Sequence, residues 1–92
     1  MSKHMTLNTA FVLMAQYNGK AVIPVEDVCR DYFSHLEIGQ FVRKVNGGEI
    51  KIPLVRIERS QKCAKGVHIQ DLADYLDLRR SEAERELRQV WG

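Results

Sequence analysis

Apolar and polar positions along the chain change period several times, and each change marks an element. Phe11, Val12, Leu13, Met14 and Ala15 make the stretch from Thr9 to Tyr17 too apolar to lie wholly in water; with Thr6 or Asn8 as its cap, a short helix is predicted. Asn18-Gly19 ends it, because both residue types tolerate positive φ. Ala21-Val22-Ile23 is a β-branched run stopped by Pro24, which suits an edge strand or the first turn of a helix.

From Val25 the spacing becomes three and four. Val25, Val28, Cys29, Tyr32 and Phe33, with Glu26 and Asp27 in the first turn, predict an amphipathic helix of about two turns. After a break at Ser34-His35, a second helix is predicted over about Glu37 to Val45. It is apolar at Ile38, Phe41, Val42 and Val45 and polar at Gln40, Arg43 and Lys44. Asn46-Gly47-Gly48 stops it. Two short helices across so tight a break describe a helix-turn-helix, although the turn lacks the glycine often found there.

Glu49 to Arg59 alternates apolar and polar, predicting a strand that Pro53 confines to an edge or a bend. A polar, basic tip over residues 60–66 leads to a return strand at Val67-His68-Ile69, completing a β-hairpin. A last helix is predicted from about Gln70 to Val90 on Leu72, Tyr75, Leu76, Ala83, Leu87 and Val90. Its stripe lapses at Arg79-Arg80-Ser81, where a bend or break would fall. The order predicts a mainly α fold with a small β-hairpin: a winged helix-turn-helix of the excisionase and MerR type with a C-terminal helical extension. Residues 1–5 are expected to be start residues outside a single domain spanning 6–92.

Charge sharpens this picture only when divided along the chain. The net +2 separates into −1 over residues 1–39, +5 over 40–66 (seven basic against two acidic) and −2 over 67–92. The basic excess falls on the second helix of the pair and on the hairpin, which points to a polyanion such as double-stranded DNA; a merely solvated surface is the plainer account of any one charge. In a winged helix the second helix would enter the major groove, so Glu37, Gln40, Arg43 and Lys44 are the candidate base readers. Lys51, Arg56, Arg59, Gln61, Lys62 and Lys65 are the candidate wing and backbone contacts.

Other chemistry finds little support. Cys29, His35, Cys63 and His68 superficially supply two sulfur and two nitrogen ligands, but neither pair has tight metal spacing, and no metal or cofactor is expected. A P-loop, HExxH and a nucleophile elbow are all absent, so an enzyme is not expected. With no apolar run near membrane-spanning length, a cytoplasmic, nucleoid-associated protein is expected. Tyr17, Tyr32 and Tyr75 suit the edge of a core. Leu87, Val90 and Trp91 are candidate dimer contacts, with Trp91 either folded back on the core or buried in a partner.

The runs NTAFVLMAQYNGKAVIP, KVNGGEIKIPLVR and SQKCAKGVHIQDLADYLD closely resemble the pyocin activator protein family, small bacterial and prophage-borne transcriptional activators of bacteriocin or phage-tail-like gene clusters. The resemblance spans roughly Asn8 to Asp77. It implies a sequence-specific DNA-binding activator that recognises a promoter-proximal box and recruits or positions RNA polymerase, and it assigns no base-reading residue. A homodimer is expected on the long last helix and Trp91. The alternatives are an excisionase-like architectural protein and an antirepressor that binds another protein through the first helix and Trp91.

Overall fold

In the computed structural model, which describes residues 7–60 and 64–91, the elements are α1 (Thr9–Gln16), β1 (Val22–Pro24), α2 (Val25–Tyr32), α3 (Ile38–Asn46), β2 (Val55–Arg56), β3 (Lys65–His68) and α4 (Ile69–Trp91). The fold is mainly helical with a small three-stranded antiparallel sheet of order β1-β3-β2, compatible with the expected winged helix-turn-helix.

Local chemistry sets most of the boundaries. The Asn8 side chain caps α1 by accepting from the Phe11 N–H at 3.1 Å; Thr6, the other expected cap, lies outside the described residues. The chain then reverses through Asn18 and Gly19, both at positive φ. Pro24 ends β1 and is also the N-cap of α2, so strand passes to helix with no loop. β1 lies at a sheet edge, where a proline forfeits no ladder bond.

The hairpin differs from expectation in three ways. It gains β1 as a third strand, paired with β3 through Ile23 opposite Val67. The long strand expected over Glu49 to Arg59 contracts to Val55–Arg56, because the Ile52 N–H turns back to the Ile50 carbonyl at 2.9 Å and Pro53 has no N–H to pair. Ile50 and Ile52 are nevertheless buried, so the apolar alternation found its face without a ladder. Finally, Ile69 begins α4 instead of ending a strand, its N–H bonded to the Ala21 carbonyl at 2.8 Å.

Gly66, at the centre of the sheet, permits this packing. A Cβ there would lie 2.6 Å from Val22 Cγ1 and 2.7 Å from the Ile23 carbonyl oxygen. Around it the core gathers Leu13, Ile23, Val28, Phe41, Val67 and Leu72, all fully buried. Thus α1, α2, α3 and the sheet share one core with the first turns of α4.

α4 shows no break near Arg79–Ser81. Pairs of Arg79 with Glu82 and Arg80 with Glu84 brace its surface there, and the helix continues to Trp91. Its buried residues, Ile69, Leu72 and Ala73, all lie near its start. The radius of gyration is 15.3 Å, against about 12 Å for a compact chain of this length. The excess is the outer part of α4 standing away from the body. No helix among the described residues is long and apolar enough to cross a membrane.

Candidate nucleic-acid interface

Three aromatic rings set the position of α3. Phe33, just past α2, lies 4.7 Å from Phe41 of α3 and 5.8 Å from Tyr75 of α4, between ring centroids. The turn over residues 33–37 contains no positive φ, so it requires no glycine. Instead the Leu36 N–H donates to the Phe33 carbonyl at 2.9 Å, and the Cys29 thiol donates to the Leu36 carbonyl at 3.4 Å. Burial pushes the Cys29 thiol up, keeping it a neutral donor.

With Phe41 fully buried and Val42 and Val45 half-buried, the opposite side of α3 presents Gly39, Gln40, Arg43 and Asn46 to solvent. Of the four candidate base readers, Glu37 and Gln40 are engaged in a capping box, in which the Glu37 N–H donates to Gln40 Oε1 at 3.0 Å. Gln40 must therefore leave the cap to reach a base. Arg43 is exposed, and its guanidinium runs back along the helix over Gly39, where an added Cβ would lie 3.7 Å from Nη1. Lys44 is half-buried and paired with Glu49 at 3.6 Å, a partner that sequence reasoning did not supply.

On the hairpin, Arg56 and Lys65 stand directly opposite each other in the β2–β3 register. Like charges in that position destabilise a sheet, and a bound anion would relieve them. Lys51 and Arg59 are exposed; Gln61, Lys62 and Cys63 lie outside the described residues.

Two further side chains join the cations only through the fold. An open cleft between the α2–α3 turn and α4 is walled by His35, Lys44, Glu49, Tyr75 and Arg79, and an adjoining cleft adds Lys51. Sequence reasoning weighed His35 only as a metal ligand and left Arg79 out, because Arg79 sits in the segment of net negative charge and His35 in a turn. Nothing in their local pattern marks them.

Of the residues considered for a metal, Cys29 and His68 have other partners, and Cys63 lies outside the described residues. Cys29 is buried against two carbonyls, and His68 Nδ1 accepts from the Gln70 N–H at 3.0 Å at the start of α4. Among the described residues no three ligand-type side chains converge. Tyr17 and Tyr32 tie α1 to α2, the Tyr17 hydroxyl donating to Asp31 at 2.7 Å and the Tyr32 hydroxyl to Gln16 at 2.6 Å. Burial, reinforced by Asp31, pushes the Tyr17 phenol up; the same bond, together with Arg30, holds the Asp31 carboxyl below its ordinary value. Leu87, Val90 and Trp91 are all exposed, Trp91 by 80%, so Trp91 does not fold back on the core.

A family model described as "Pyocin activator protein PrtN" matches residues 9–83. Comparisons with curated proteins and with solved structures give no match.

Proposed function

Because the chain belongs to the pyocin activator family, we propose that it is a DNA-binding transcriptional activator of pyocin genes, built as a winged helix-turn-helix. The observation that carries the DNA-binding part is the placement of the cations: Arg43 on the exposed side of α3, and Arg56 against Lys65 across the hairpin. In this reading α3 lies in the major groove with Arg43 foremost, since a guanidinium matches the paired acceptors of guanine. Arg56, Arg59 and Lys65 neutralise phosphates, and Lys44, Lys51 and Arg79 extend that contact around the end of α3. The protein works beside the nucleoid in the cytoplasm and carries out no catalysis. RNA polymerase is its second partner, and the exposed apolar side of α1, with Leu7, Phe11 and Met14, offers a surface for it.

Selection of bound duplexes from a random pool, followed by a salt titration on the winning site, tests the reading. Log affinity is expected to fall linearly with log salt, with Arg56→Ala and Lys65→Ala each reducing the slope by about 1. Arg43→Ala should relax preference at one position by about 1–3 kcal/mol. Gly39→Ala fits the free protein, so weaker binding by that variant would locate close approach of DNA to the start of α3. Absence of salt-sensitive affinity for any duplex would overturn the DNA-binding reading.

A further inference from the structure

α4 carries one stripe along its whole length, and the body covers only the beginning of it. Ile69, Leu76, Ala83 and Val90 recur at seven-residue intervals, and Ala73, Arg80 and Leu87 form a second row beside them. Two such rows make the seam of a coiled coil. Ile69, Leu72 and Ala73 are buried and Leu76 half-buried, whereas Ala83, Leu87, Val90 and Trp91 are exposed. We propose that a second copy of this chain covers the outer part of the stripe, with the two α4 helices antiparallel.

The direction follows from where the body sits. α1 and β3 pack on α4, and the buried residues show that they occupy the stripe near its start. A parallel partner in register would run its own helix down that stripe, into the space the body fills. An antiparallel partner meets only the outer turns, and its own body lies beyond the far end of the first helix. Sterics then set the register: Ala83 faces Leu87 of the second copy, a small side chain against a large one, and Arg80 faces Val90.

This register brings Trp91 to the flank of the second copy at Asp77. A cleft already lies there, lined by Leu7, Thr9, Ala10, Ala73 and Asp77. Asp77 accepts the Thr9 hydroxyl at 2.6 Å and, as a carboxylate, has capacity left for an indole N–H. Arg80 lies beside the incoming ring, whose face attracts a guanidinium. Near the two-fold axis Glu84 and Glu86 each approach their own symmetry mate, and Arg88 of the other helix comes within reach of Glu84. The like-charge contact at Glu86 predicts that Glu86→Gln strengthens the pair.

The pairing is independent of the DNA-binding reading, although a two-fold dimer would offer two α3 helices to two half-sites. Sedimentation equilibrium of the full chain without DNA should show a concentration-dependent dimer. Leu87→Glu and Trp91→Ala should weaken it by about tenfold or more with helix content unchanged by circular dichroism, since both side chains are exposed. Glu86→Gln should tighten it. Register is tested in a Cys63→Ser background, which leaves only the buried Cys29. Arg80→Cys and Val90→Cys chains, mixed and oxidised, should form the mixed disulfide. Predominant 80–80 and 90–90 disulfides would overturn the antiparallel arrangement, and a monomer at every concentration would overturn the pairing itself. A dimer that binds no DNA would sink the functional reading and leave this one standing.

Discussion

Leu72 and Leu87 stand on adjoining rows of the apolar side of one helix; the first is fully buried, and the second is 58% exposed. Around Leu72, α1, β3 and the rest of the core supply apolar neighbours. Around Leu87 the same stripe continues with Ala83 and Val90, but no other element of the described chain reaches it. The contrast teaches that a helical apolar pattern states which side is to be covered, while the cover comes from elsewhere: from the chain itself at one end and, in our proposal, from a second copy at the other.

Substitutions along α4 and its base put numbers on that contrast. Leu72→Ala leaves a cavity in a closed core and should lower stability by about 3 kcal/mol, seen as a large drop in urea midpoint. Gly66→Ala forces a methyl against Val22 and the Ile23 carbonyl just before α4 begins, and should cost about 2 kcal/mol by the same measurement. Tyr17→Phe, which removes one of the two hydroxyl ties between α1 and α2, should cost about 1 kcal/mol.

Tyr17→Phe should also change the dependence of stability on pH. Asp31 has a lowered pKa in the fold, so its contribution is present above the unfolded value of about 4 and lost as pH falls through the folded one. Tyr17 has a raised pKa, so its contribution is present below about 10 and lost as pH rises beyond. Denaturation of the variant at acid, neutral and alkaline pH should give a flatter profile at both ends. The smallest effect belongs to Leu87→Ala, which should change the stability of the isolated chain by less than about 0.5 kcal/mol. A loss equal to that of Leu72→Ala, measured in dilute protein, would erase the distinction between the two ends.

The candidate interface was legible to a similar, partial extent. The sequence placed Arg43 on the polar side of a short helix after a tight turn, and the fold leaves it exposed there. It also marked Glu37 and Gln40 as polar and long enough to read bases, but their three-residue spacing at a helix start serves the capping box first. Lys44 was legible as a cation and not as the partner of Glu49, because that pair closes across the double-glycine stop. The opposition of Arg56 and Lys65 depends on strand register, which the alternation of Glu49 to Arg59 left open. His35 and Arg79 meet at one cleft only because the Phe33–Phe41–Tyr75 rings draw the turn, α3 and α4 together.

Four boundaries are written in the local chain: Asn8 at the start of α1, Asn18-Gly19 after it, Pro24 between β1 and α2, and Gly47-Gly48 after α3. These are decisions of φ, ψ and hydrogen bonding among residues within about four positions of one another, so the local chain contains all the partners they need. Packing between distant segments is what brought β1 into the hairpin and buried the stripe of α4 at its start while leaving its end bare. Each of those outcomes depends on groups far away in the chain, and local pattern carries no record of which surface arrives opposite.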